Sequence, residues 1–207
     1  MLTAGAKLRT AVLVSGGGTN LQAILNACAD GTVRHAEVTL VVSNNPNAYA
    51  LQRAAQAGVP AIVLQRRELG GSEGFERELI RVLEEHRIDL IVLAGFMTIL
   101  SESFTRRYDH RILNVHPSLI PAFCGKGFYG LEVHRRALAR GVKVTGATVH
   151  FVNEVPDGGE ILLQKAVEIL PEDTPESLQR RVMEQAEWIL LPRAIEMIAE
   201  KSLSKEN

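Results

Sequence analysis

The sequence predicts an α/β protein built on a doubly wound, mostly parallel sheet, completed by a C-terminal antiparallel hairpin and a long C-terminal helix. Three observations predict it. Short apolar runs alternate with amphipathic stretches in the order β-α-β-α-β-α-β-α-β, which calls for a parallel sheet with right-handed crossovers. Residues 10–14 and 89–94 are apolar at nearly every position, as suits strands buried on both faces. Beyond Pro117 the pattern changes. Residues 142–152 alternate, 153–159 are rich in turn formers, and 161–167 return as a second strand, the pattern of a hairpin.

Taken in order, residues 10–14 form the first strand. Ser15-Gly16-Gly17-Gly18-Thr19-Asn20 follows at once, and Leu21, Ile24 and Leu25 then stand at helical spacing, with Gly31 as the stop. Glycines admit a ligand close to the backbone, and a helix start offers free N–H groups. A phosphate is the natural guest, and a side chain on Gly18 is expected to block it. No Gly-Lys-Ser/Thr closes the turn and the GxGxxG spacing is absent, so neither the Walker loop nor the dinucleotide fingerprint applies. On these residues alone, a phosphate site and a bare βα turn both stay open.

Residues 38–43 are the second strand, 44–47 a capping turn, 48–57 a helix ending at Gly58, and 61–64 a short third strand. A polar loop over 66–74 leads to a helix over 75–86 with Leu79, Val82 and Leu83 as its buried stripe. The run 89–94 is the most hydrophobic and is placed at the centre of the sheet. A turn at 95–97 and a helix over 101–107 lead to Ile112-Leu113-Asn114-Val115-His116-Pro117-Ser118. A cis bond is expected at Ile120–Pro121. A helix over 128–140 ends at Gly141, and the last helix covers 175–200. Its buried face is read as Leu178, Val182, Ala186, Ile189 and Leu190, and Pro192 should kink or split it.

Composition narrows the class. The 207 residues carry a net charge of −1, which speaks against a general nucleic-acid binder. They show no apolar run long enough for a signal peptide or membrane span. Cys28 and Cys124 have no partner pattern, so a reducing cytoplasm is the expected compartment. The ends, 1–7 and 201–207, read as loose tails. No linker divides the chain, so residues 1–207 are expected to be a single domain: a phosphate-binding lobe over about 8–112 and a catalytic lobe over about 113–200.

Chemistry concentrates at Asn114 and His116. Alternation along a strand points both side chains the same way, and Pro117 ends the strand beside them. Open α/β sheets bind ligands at such carboxyl ends. An amide can hold a developing oxyanion and an imidazole can carry a proton near neutral pH. A buried, structurally satisfied Asn and His would leave the same trace, as would a plain turn aspartate at Asp157. His150 is read as supporting or core, His110 and His134 as surface, Cys28 and Cys124 as bystanders, and Ser118 as a hydroxyl that could steady the site.

With these motifs in place the chain resembles the phosphoribosylglycinamide formyltransferase family over about residues 8–200. The resemblance rests on Ser15–Gln22, Leu93-Ala94-Gly95-Phe96-Met97, Asn114–Pro121 and Asp157-Gly158-Gly159. It implies formyl transfer from 10-formyltetrahydrofolate, as co-substrate, to the amine of 5-phosphoribosylglycinamide in purine synthesis. It also implies small-molecule substrates and no metal, and leaves monomer or homodimer open. By the same resemblance Asn114, His116 and Asp157 are catalytic, and Asp157 is expected to favour the charged form of His116. Gly18, Thr19, Asn20 and Glu187 would hold the phosphoribosyl substrate, with Glu184 competing for the last role. Met97, Thr98, Ile99, Leu100, Asn153, Glu154, Val155 and Pro156 would line the folate pocket. The family's basic residue after the third strand has no clean match: Arg66 and Arg67 lie upstream and Ser72 at the ungapped position. Cys124-Gly125-Lys126 replaces a frequent Pro-Gly. A formyltetrahydrofolate hydrolase and a non-catalytic folate- or nucleotide-binding module are the alternatives. The short segment before the first strand and the ending after one helix are expected to exclude hydrolases and methionyl-tRNA formyltransferases.

Overall fold

A computed structural model describes residues 7–204. The elements are β1 (Leu8–Val14), α1 (Thr19–Ala29), β2 (Ala36–Ser43), α2 (Tyr49–Gln56), β3 (Ala61–Val63), α3 (Ser72–Glu85), β4 (Leu90–Leu93), α4 (Glu102–Arg107), β5 (Ile112–His116), α5 (Leu131–Arg140), β6 (Val144–Phe151), β7 (Ile161–Glu168), α6 (Pro175–Val182) and α7 (Trp188–Ser204), with a π-helical turn, Met183–Glu187, between the last two. One seven-stranded sheet runs β3-β2-β1-β4-β5-β6-β7. The first four pairings are parallel, and β5–β6 and β6–β7 are antiparallel. β4 is the middle strand, as its hydrophobicity predicts.

Alternation divides each strand between two cores. Val12, Val14, Leu113 and Val115 face a core shared with α1, α6 and α7. Ala11, Leu13 and Ile112 face the core of α3 and α4. Asn114 and His116 share the parity of Ile112, so they emerge on the α3/α4 side where those helices stop covering the sheet. The Ile120–Pro121 bond is cis.

Three expectations fail in the last helix. Ile189 is 48% exposed, not buried. Leu178, Val182, Ala186, Leu190 and Ala194 are buried at steps of four. At about 100° per residue a plain α-helix would turn such a row well off one face. The π turn, where the Trp188 amide bonds the Met183 carbonyl, holds the row inward and turns Ile189 out. Pro192 lies inside α7 without splitting it; the irregular turn lies just before it, on the side where a proline ring crowds a helix. Residues 201–204 continue α7 instead of fraying; residues 1–6 and 205–207 of the expected tails lie outside the described residues. The fifth helix starts at Leu131 instead of residue 128, because Gly125, Gly127 and Gly130 all take positive φ.

Candidate active site

The glycine turn joins β1 to α1, and its carbonyls are held from one side. Asn45 Nδ2 donates to the Ser15 carbonyl at 3.2 Å, the Ala50 amide to Gly16 at 3.1 Å, and Arg53 Nε to Gly17 at 2.8 Å. A trans peptide sets its C=O and following N–H in opposite directions. The amides of Gly16, Gly17 and Gly18 therefore point away from α2, next to the unpaired first-turn amides of α1. Such a row of N–H groups is an anion-binding concavity. Gly18 departs from expectation. A Cβ there would lie 2.6 Å from Ala50 Cβ at φ 71°, whereas Gly16 and Gly17 face open space. Gly18 is required for close packing on α2, and the ligand's side belongs to its neighbours.

Side chains from three separated segments meet at the end of β5. β5 pairs with β6 so that Asn114 faces His150, and the turn after β6 returns Asp157 in a left-handed conformation, φ 57°. His116 Nδ1 lies 3.4 Å from Asp157 Oδ2, and His150 Nε2 3.6 Å from Asp157 Oδ1. Asn114 Nδ2 donates to His150 Nε2 at 3.1 Å, and His150 Nδ1 donates to the Phe151 carbonyl at 2.8 Å. That second bond fixes the proton on Nδ1, so Nε2 accepts and aims the Asn114 amide. His116 Nε2 donates to the Phe123 carbonyl at 2.8 Å, and the Gly125 amide to Asp157 Oδ2 at 2.8 Å.

Asp157 favours the charged form of His116, as expected, but burial outweighs it. Burial pushes the His116 pKa below its ordinary value, and the Asp157 carboxylate and Phe123 carbonyl recover only part of the loss. The ring is neutral at neutral pH, not charged. For Asp157, burial works against the anion, but the His150 and His116 imidazoles beside it and the Gly125 amide outweigh it and its pKa is lowered. His134, expected at the surface, is fully buried on α5, and desolvation holds it down at about 4. Ser118 donates to the Ala122 carbonyl, steadying the proline loop. Burial raises both thiols, Cys28 and Cys124.

A cavity of about 140 Å³ opens beside this cluster, lined by Thr98, Ile99, Leu100, Asn114, His150, Asn153, Glu154, Val155, Pro156 and Asp157 among others. Met97 does not line it; it is exposed, and its amide donates to Ser15 Oγ at 2.9 Å. A larger groove of about 450 Å³ follows α1 between Arg53 and Trp188 but holds none of the clustered side chains. Arg66 and Arg67 are exposed, and among the described residues the one side-chain hydrogen bond from either goes from Arg67 to Gln65.

Glu187, on the π turn, is buried and accepts from Asn20 Nδ2 at 2.7 Å, while Glu184 is exposed. Desolvation raises Glu187 to about 7. His35, Glu196 and Glu200 lie close enough to share a cation, but Glu196 already accepts both the Arg34 and His35 amides and His35 Nδ1, which ties that turn to α7. Sequence reasoning missed Arg53, Phe123 and Gly125 as partners of the site. The one sequence signal that could have found the last two is the pair of glycines flanking Lys126, which the structure places at positive φ.

A parallel sheet thus carries an amide, two imidazoles and a carboxylate at one strand end, with a glycine turn of outward-facing amides two strands away. The formyl transferase family model matches residues 8–195, and the chain belongs to that family. It is 43% identical to the phosphoribosylglycinamide formyltransferase of Haemophilus influenzae, over 94% of this chain and 89% of that protein. The structure of glycinamide ribonucleotide transformylase 1 from Symbiobacterium toebii superposes with a TM-score of 0.88 at 43% identity, covering 95% of this chain and 90% of that one. A trifunctional purine biosynthetic protein of Drosophila melanogaster is 46% identical over 92% of this chain, which spans only 14% of that protein's length.

Proposed function

We propose that this protein transfers the formyl group of 10-formyltetrahydrofolate to the amine of 5-phosphoribosylglycinamide. The observation that carries this is the convergence of Asn114, His116, His150 and Asp157 from β5, β6 and the turn after β6. The amine attacks the formyl carbon, a C–N bond forms, and the carbonyl electrons move to oxygen. One Asn114 N–H is spent on His150, and the other is free for that oxyanion. The neutral His116, or a water it shares with Asp157, takes the amine proton. A proton on His116 is stabilised because both ring nitrogens face oxygens. Collapse expels the folate nitrogen, which regains a proton.

The phosphate rests on the Gly16–Asn20 amides, and Glu187 takes hydrogen bonds from the ribose. The co-substrate's ring enters the cavity lined by Thr98–Leu100 and Asn153–Pro156. At about 140 Å³ that cavity is smaller than the ~300–1,000 Å³ typical of sites for drug-sized ligands, so the tail lies outside. We read the chain as one domain, with phosphate and catalytic lobes meeting at β5. No described helix is long and apolar enough to cross a membrane, in keeping with a cytoplasmic enzyme of small molecules.

The test follows tetrahydrofolate release with and without phosphoribosylglycinamide. Release only with the amine, in step with its formylation, is expected. Amine-independent formate release would mark a hydrolase, and binding without turnover a binding module.

A further inference from the structure

We propose that Arg53 is a positioning residue for the substrate phosphate, acting through the peptide between Gly17 and Gly18. The proposal rests on the phosphate reading of the glycine turn given above. Among the described residues Arg53 is the one charged side chain whose hydrogen bond lands on a carbonyl of that turn. Its guanidinium is fixed on three sides: Nε donates to the Gly17 carbonyl at 2.8 Å, an Nη to Gln22 Oε1 at 3.0 Å, and Cζ lies over the Tyr49 ring, 5.0 Å from its centre. Gln22 is on α1, so the same cation joins the turn, the helix behind it and α2.

The consequence follows from peptide geometry. With the Gly17 carbonyl held toward α2, the Gly18 N–H must point to the opposite side, where an anion would sit. Gly17 has open space around it and two rotatable neighbours of its own kind, so nothing local prevents this peptide from flipping. A flip would present a carbonyl oxygen to the phosphate instead of a donor. Arg53 opposes the flip with a charge-assisted bond. It also polarises the peptide, so the N–H on the far side becomes a stronger donor. The cation thus serves the anion from behind the turn, without touching it.

The experiment compares phosphoribosylglycinamide with its dephosphorylated riboside as amine acceptors and measures competitive inhibition by inorganic phosphate. It uses the full chain carrying Arg53→Gln and, separately, Arg53→Lys. Arg53→Gln should raise KM for the phosphorylated acceptor and the inhibition constant of phosphate by about tenfold, the scale of one charge-assisted hydrogen bond. kcat should change little, and kinetics with the riboside should not change. Arg53→Lys keeps the charge but not the fork and should fall between. Equal losses with both acceptors, or an unchanged KM in either folded variant, would overturn the proposal. If wild-type protein is not inhibited by phosphate and uses both acceptors equally well, the phosphate reading itself fails, and this inference with it.

Discussion

The glycine turn and the side-chain cluster around Asn114 and His116 sit at strand ends of one sheet but are made of different material. The turn is backbone: the five residues Gly16–Asn20 present amides, and in the proposed mode no side chain of the turn need touch the anion. The cluster is side chains: Asn114 and His116 come from β5, His150 from β6 and Asp157 from the turn beyond it. The turn's function is local, yet its carbonyls are held by Asn45, Ala50 and Arg53, some thirty residues away. The cluster's function is non-local, yet each member sits on a strand or tight turn that its neighbours in sequence dictate. A backbone site tolerates no side chain in the wrong direction, whereas a side-chain site tolerates no lost charge.

The sharpest break of this contrast is Asp157→Asn, which keeps shape and removes charge. We expect kcat to fall ~10²–10⁴-fold, the scale of positioned acid–base help, with KM values nearly unchanged. His116 loses its one upward ionic influence, so its pKa should drop further. Steady-state kinetics with an NMR titration checks both, and near-normal kcat would make Asp157 a turn residue only.

The turn should break sterically. Gly18→Val forces a branched side chain into a left-handed backbone and against Ala50, which should cost roughly 3–4 kcal/mol of stability. Gly17→Ala meets open space, so its melting temperature should hold while KM for the phosphorylated acceptor rises. Denaturation and kinetics on the pair separate packing from ligand approach; a stable Gly18→Val protein would defeat the packing account.

Glu187 joins the two regimes, being a side chain that reaches the turn through Asn20. Its pKa of about 7 in the folded chain lies above the ordinary 4.5. Between those values the folded state holds a proton that the unfolded state has released, so stability falls as pH rises across that window. Above pH 7 the cost is about 3 kcal/mol. Glu187→Gln should remove this slope in urea titrations at stepped pH; an unchanged slope would show that the carboxylate is solvated. The smallest effect is expected outside both regions. Ser101 Oγ caps α4 by accepting the Phe104 amide, so Ser101→Ala should lower stability by about 1 kcal/mol with kinetics unaltered.

The sequence by itself determined every strand, the parallel-to-antiparallel change after His116, the central place of β4, and the shared parity of Asn114 and His116. These follow from period-2 alternation and turn chemistry, which are properties of neighbouring residues. It could not show that Gly18 packs on Ala50, that Arg53 grips the turn, that the 122–130 loop supplies the Phe123 and Gly125 contacts, or that His134 is buried. Nor could it show that a π turn rotates Ile189 outward, since one extra residue in a turn leaves the apolar spacing readable in either phase. The charge state of His116 was likewise decided by tertiary structure. A carboxylate close in the motif raises an imidazole pKa, but desolvation depends on everything packed around the ring, and here burial outweighs the carboxylate.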